Sequence, residues 1–192
     1  ETAQNRCAYN FDRQKHLKEM DISTRMFWGI DFGVSSYMSA VLMCENVAGE
    51  VYVFDEIGLQ NSNTFELAEK MKQIAPDTPV YPDPAGKART SNSTKSDHRI
   101  LQDAGFTVIS RKANPTQKDR LNSLNRMLED ASGDIKLFIN PKCKHTIRDL
   151  ELTTMENGKI AKTETLSHFL DAVMYPIEYR YGFKGNLGVI EW

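Results

Sequence analysis

The stretch Phe27-Trp28-Gly29-Ile30-Asp31-Phe32-Gly33 drives an apolar run toward a buried strand, sets one carboxylate near its end and follows it with a glycine. A charge in such a setting persists when a cation or a metal compensates it. Two more carboxylates occur in comparable surroundings. Val80-Tyr81-Pro82-Asp83-Pro84 ends a short apolar segment on an acid, and His168-Phe169-Leu170-Asp171-Ala172 places one inside an otherwise apolar helix. If Asp31, Asp83 and Asp171 meet in space, they can hold divalent cations. Phosphodiester hydrolysis needs a water made nucleophilic near neutral pH and a leaving oxygen whose charge is stabilised, and two ions about 3.5–4 Å apart do both. Magnesium or manganese suits such a set, because hard cations favour carboxylate oxygens. In this arrangement Asp31 bridges both ions, Asp83 holds one and Asp171 the other.

His168 lies three residues before Asp171 and so shares its helix face. It either orders a water or contacts the scissile phosphate, or it simply hydrogen-bonds a neighbouring carbonyl. Asp83, set between two prolines, also suits a turn. Asp55 and Glu56 close a strand and read as edge charges, while Asp97, Asp103 and Asp119 read as helix-surface acids.

The elements that must position these acids follow from hydrophobic periodicity. Three strands are predicted at Met26 to Asp31, Tyr37 to Cys44 and Val51 to Phe54, separated by turns at 33–36 and 46–50, an antiparallel meander. Helices are predicted from Asn63 or Thr64 to Ile74, Ser96 to Ala104, Pro115 to Asp130, Lys142 to Leu150 and Leu166 to Tyr181. Short strands are expected from Pro79 to Asp83, Phe106 to Ile109 and Ile135 to Ile139. Ala85 to Thr94 has no periodicity and reads as a loop. Asn157-Gly158 signals a tight hairpin between polar arms over 151–165, projecting from the core. A meander followed by alternating helices and strands implies an α/β fold, a mixed sheet flanked by helices. Parallel pairing of the fourth strand with the first would bring Asp31 and Asp83 to one edge.

The 192 residues suffice for one domain with a full core. Hydrophobic content of 40% and charged content of 26% exclude a chain too polar to fold. No apolar run reaches the length of a membrane span, and no signal-peptide pattern opens the chain. Residues 1–24 read as a linker with a short helix, 25–182 as the domain and 183–192 as a flexible tail. A chain beginning at Glu1 on a polar stretch is expected to be a piece of a longer protein. Cys7, Cys44 and Cys143 are odd in number and widely spaced, which suits a reducing compartment. Cys143 and His145 lack the second pair that zinc would need and read as a surface helix start.

The formal net charge of -2 is unevenly spread. Pro84 to Arg126 holds nine basic residues against three acidic ones, a polarity that can hold a polyanion on one side and keep carboxylates for metal on the other. Lys87, Arg89, Lys95, Arg111 and Lys112 are the candidate DNA contacts, with solvated helix faces as the plainer reading of each.

Taken together, Gly29-Ile30-Asp31-Phe32-Gly33, Tyr81-Pro82-Asp83-Pro84-Ala85 and Ser167-His168-Phe169-Leu170-Asp171-Ala172-Val173-Met174-Tyr175 resemble the nuclease domain of the large terminase subunit of tailed bacteriophages. The resemblance runs from about Phe27 to Tyr181. It implies a ribonuclease H-like fold and a Mg- or Mn-dependent endonuclease that cuts double-stranded viral DNA, with little sequence specificity, at the start and end of packaging. Asp31, Asp83 and Asp171 would be the metal ligands, with two ions expected when DNA is bound. The second acid is often Glu in that family. The shorter Asp83 is expected to hold its ion less readily, leaving one metal in the resting site. The hairpin resembles an auxiliary hairpin thought to modulate DNA access. The resemblance further implies an N-terminal packaging ATPase, a small terminase subunit and a portal as partners, and action in the host cell cytoplasm. The chain itself has no phosphate-binding Gly-x-x-x-x-Gly-Lys-Ser/Thr segment.

Three competing readings share parts of this pattern. A junction resolvase or transposase core shares the fold and the acids. An actin-like ATP-binding domain shares Gly-Ile-Asp-Phe-Gly but needs an adenosine-binding segment that is not found. A catalytically dead DNA-binding scaffold would leave plasmid DNA intact in Mn²⁺.

Overall fold

The computed structural model describes residues 5–33, 37–88 and 94–182. Three strands form the expected meander: β1 (Met26–Phe32), β2 (Met38–Glu45) and β3 (Val51–Leu59). After helix α2 (Thr64–Ile74), capped by the Asn63 side chain, comes β4 (Val80–Pro82), and later β5 (Leu137–Ile139). The sheet order is β4-β1-β2-β3-β5, with β4 parallel to β1 and β5 parallel to β3. β1 is therefore an interior strand, as its apolar content requires.

Alternation along β1 assigns its residues to two faces. Trp28 and Ile30 pack with α2 and α3 (Asp97–Asp103) on one side, burying Leu67, Met71 and Leu101. Phe27 packs into the opposite core, built by α4 (Gln117–Leu128), α5 (Lys144–Leu152) and α6 (His168–Tyr181). Gly29 and Asp31 share that second face, so the carboxylate points to the layer that contains α6.

β3 runs five residues past its expected end at Phe54, so Asp55 and Glu56 lie within it and do not close it, and three further segments depart from the sequence expectations. Residues 6–17 are not a free linker: Cys7, Ala8 and Phe11 join the core, Asn10 hydrogen-bonds Asn125, and His16 is fully buried beside the Leu128 carbonyl. The four-residue helix α1 (Arg13–His16) is capped by Asp12. The sequence hid this because the apolar residues of 6–17 follow neither a helical nor a strand period. The expected strand at 106–109 reduces to one parallel bridge, Val80 to Val108. Val80 N–H donates to Thr107 and Ile109 N–H donates to Val80, but the next rung would need an N–H from Pro82, which has none. Helix α5 runs to Leu152 and consumes one arm of the hairpin, leaving only β6 (Met155–Glu156) and β7 (Lys159–Ile160). Asn157 and Gly158 both have positive φ, 49° and 74°, as the tight turn demands. The hairpin tip is exposed while Ile160 is anchored in the core. The turn at 34–36, Arg89 and the tail at 183–192 fall outside the described residues. Among the described residues, no helix is long and apolar enough to cross a membrane.

Candidate active site

The site begins with two close approaches. A Cβ at Gly29 would lie 2.0 Å from the Ala172 carbonyl oxygen and 2.9 Å from the Pro176 ring. Only a residue without a side chain lets α6 lie this close on β1. Pro176 sits inside α6 and cannot donate to Ala172, so the carbonyl turned toward Gly29 is the one the proline leaves without its helical partner. At Gly33 a Cβ would meet the Tyr37 carbonyl at 2.0 Å and the His168 ring at 3.1 Å. These contacts hold Asp31 against the first turn of α6.

That turn carries two of the candidate residues, His168 and Asp171. His168 Nδ1 donates to Asp31 Oδ2 at 2.9 Å, with both side chains buried. Burial pushes the Asp31 carboxyl above its usual pKa, and the negative charge of Asp171 pushes the same way. The hydrogen bond to Asp31 raises the pKa of His168. His168 Nε2 is buried with no hydrogen-bond partner among the described residues. Asp171 is fully buried: Arg120 Nη1 lies 3.0 Å from Oδ1, and Lys162 Nζ lies 2.6 Å from Oδ2.

Asp83 comes from the neighbouring strand. Its N–H donates to the Ile30 carbonyl at 3.0 Å, which fixes it one step from Asp31 at the same sheet edge. Its side chain caps the 3₁₀ turn Pro84–Lys87 through the Ala85 N–H at 2.8 Å and accepts from Asn114 at 3.1 Å. The turn-former reading and the edge placement thus hold together. His98 Nε2 lies 2.8 Å from the Asp83 carbonyl oxygen. Tyr175, one turn beyond Asp171, feels all three acids: burial first, then Asp171, Asp83 and Asp31, push its phenol far above the ordinary range.

Asp31 and Asp83 thus end neighbouring strands, and Asp171 lies one turn along the helix whose His168 meets Asp31, with Asp31 and Asp171 in each other's field. Among the described residues, no three His, Cys, Asp or Glu side chains are close enough together to hold one ion. The donor chemistry nonetheless suits a hard divalent cation: two buried carboxylates, a third that is only half-buried, and an unpartnered imidazole nitrogen.

Sequence reasoning missed four supporting residues. Arg120 counted as part of the basic surface, yet it is buried over the Tyr175 ring at 5.1 Å. Its spacing of four from Leu124 placed it on the apolar stripe of α4, a signal available in the sequence. Asp149 is fully buried and its Oδ2 accepts from the Phe169 N–H at 2.9 Å, capping α6 where Ser167 makes no capping bond. Glu56, read as an edge charge, caps α5 by accepting from His145 N–H and Thr146 N–H at 2.9 Å. Lys162 had no signal. Cys143 is buried rather than a surface helix start, and burial pushes its thiol up to about 12.

The candidate DNA contacts divide. Arg111 is committed to Glu178 at 2.7 Å and lies over the Tyr179 ring, and Lys95 pairs with Asp103 at 2.6 Å. Lys87 is exposed and its ammonium reaches the Arg111 carbonyl, and Lys112 is exposed.

The sheet order, the helix laid on β1 and the acidic edge define a ribonuclease H-like α/β domain. Residues 28–180 match the terminase RNaseH-like domain model, and the chain belongs to that family. The bacteriophage P22 large terminase nuclease domain is similar, with a TM-score of 0.73 at 16% identity over 95% of this chain and 96% of that one. The large terminase of a thermophilic bacteriophage gives 0.71 at 18% identity over 92% of this chain, which spans only 45% of that protein. The g2p nuclease domain of bacteriophage SPP1, solved with bound Mn, gives 0.55 at 15% identity over 85% of this chain and 94% of that one. No curated protein matches in sequence.

Proposed function

We propose that this chain is a divalent-metal-dependent endonuclease domain that cuts double-stranded viral DNA during genome packaging, with little sequence preference. What supports the reading is that Asp31 and Asp83 end neighbouring parallel strands while Asp171 lies one turn along the helix whose His168 meets Asp31, in a terminase-family domain. The manganese held by the SPP1 relative supports a divalent metal here. Asp31, Asp83 and Asp171 would hold Mg²⁺ or Mn²⁺, with His168 Nε2 a further donor toward metal or water, and two ions in the DNA complex. When bound, such ions supply Lewis-acid stabilisation of phosphate charge and a more acidic water.

The chain's own residues do the rest. His168, oriented by Asp31, presents its second nitrogen to the site. Arg120 donates to Asp171 Oδ1 and positions it. Lys87, Arg89 and Lys112 meet the phosphate backbone, contacts that carry no base sequence. In the whole protein, of which the thermophilic phage terminase gives the scale, a packaging ATPase would precede this domain, and the small subunit and portal would be partners in the host cytoplasm.

The test is plasmid DNA incubated with the chain and Mn²⁺, with and without a chelator. Conversion of supercoiled DNA to nicked and linear forms only with metal is expected, and intact DNA with Mn²⁺ present would refute the activity. The family match favours this over a resolvase or an ATP-binding domain.

A further inference from the structure

Both oxygens of Asp171 face the chain's own cations: Arg120 hydrogen-bonds Oδ1, while Lys162 Nζ forms an ion pair 2.6 Å from Oδ2, an oxygen with no hydrogen-bond partner among the described residues. A metal can reach this carboxylate only if one of them withdraws. The two are not equally free to do so. Arg120 projects from the first turn of the regular helix α4, its side chain is 11% exposed, and it lies over Tyr175. Lys162 stands on the irregular segment between β7 and α6, with a side chain 49% exposed and an ammonium that can swing into solvent. Its charge acts on Asp31 as well as Asp171, so it sits in the field of the two buried acids.

We propose that Lys162 is a resident plug, an ammonium that fills the cation position at Asp171 in the metal-free protein and must leave before a metal ion is accepted there. This rests on the reading of the acids as a metal site. Lys162 is two residues from β7, whose hairpin tip stands in solvent. A nucleic-acid phosphate arriving beside the hairpin offers the ammonium a second anion. Drawing Lys162 outward would expose Asp171 Oδ2, so polyanion and metal favour each other by linkage. A resting nuclease of this design keeps its acids neutralised and holds metal weakly until DNA is present.

The experiment measures Mn²⁺ binding to the full chain without DNA, from the loss of the free-ion electron paramagnetic resonance signal. Lys162→Met keeps the methylene stem and removes the charge. It should tighten Mn²⁺ binding roughly 5- to 50-fold, while Lys159→Met on the exposed hairpin strand should leave it unchanged. Equal or weaker binding by Lys162→Met overturns the plug. If the wild-type chain binds Mn²⁺, Asp171→Asn does not, and Lys162→Met matches wild type, the metal site stands and only the plug falls. If neither wild type nor Lys162→Met binds Mn²⁺, both fall. A second measurement needs no variant. Saturating Mn²⁺ should raise acylation of Lys162 by an amine-selective reagent, read by mass spectrometry, and unchanged labelling overturns the proposal.

Discussion

The acidic edge has two unlike halves. On the α6 side, Asp31 and Asp171 are buried, answered by His168, Arg120 and Lys162, and fixed by backbone approaches too tight for a methyl group. On the β4 side, Asp83 is half-buried, caps a short 3₁₀ turn and leads into a basic stretch. The difference separates where the chain keeps its fixed geometry from where, on the proposed function, it would meet DNA. Burial demands compensation within the protein, so the α6 half is pre-organised. The β4 half can rely on water until a polyanion arrives.

The sharpest break of this contrast is at Asp31. Asp31→Asn should abolish plasmid cleavage in Mn²⁺ while the thermal midpoint stays equal or rises, because it relieves repulsion between buried acids. Undiminished cutting would remove Asp31 from the chemistry. Next in size is Gly29→Ala, which should cost about 1–3 kcal/mol in urea unfolding through its clash with the Ala172 carbonyl. An unchanged midpoint would mean that the α6 half is not built on that approach.

Asp149 gives a smaller, pH-dependent effect. Burial raises its pKa above the usual 3.8, so the folded state binds its proton more readily than the unfolded one. That carboxyl therefore costs stability progressively as pH rises from 3.8 through the raised value. Asp149→Asn keeps an acceptor for the Phe169 N–H without the charge. Its stability relative to wild type should climb across that window and then level off, as urea midpoints at stepped pH would reveal. A flat difference would show that Asp149 is not a desolvated charge.

The smallest effect belongs to the β4 half. Lys87→Ala with Arg89→Ala should weaken DNA binding and reduce the salt slope by about 0.9 for each phosphate no longer neutralised. An unaltered slope would take these residues out of the interface. Arg111→Ala should instead lower the thermal midpoint, because its guanidinium is paired with Glu178.

Much of this was legible from residue spacing. The meander, the Asn157-Gly158 turn and the apolar stripe of α6 followed from periods of two and 3.6 and from turn chemistry. The three acids stood out because each interrupts an apolar run. Their compensating cations did not, because Arg120 and Lys162 approach Asp171 from elements distant in sequence, and a lysine in an irregular segment carries no periodic mark. The packing of residues 6–17 was hidden for the same reason. Pro82, readable as a strand residue, could also have been read as the stop that limits its own sheet edge.

Helix α6 is moored at both ends. Asp149 caps its start, and at its finish Arg180 stacks over Phe27 at 4.4 Å while reaching Tyr81 at 3.1 Å and Glu45 at 2.5 Å. A beam moored to α5 at one end and to three strands at the other has little freedom to pivot. On the proposed function, room for DNA would come from the loops around it, with α6 as the fixed wall of the site.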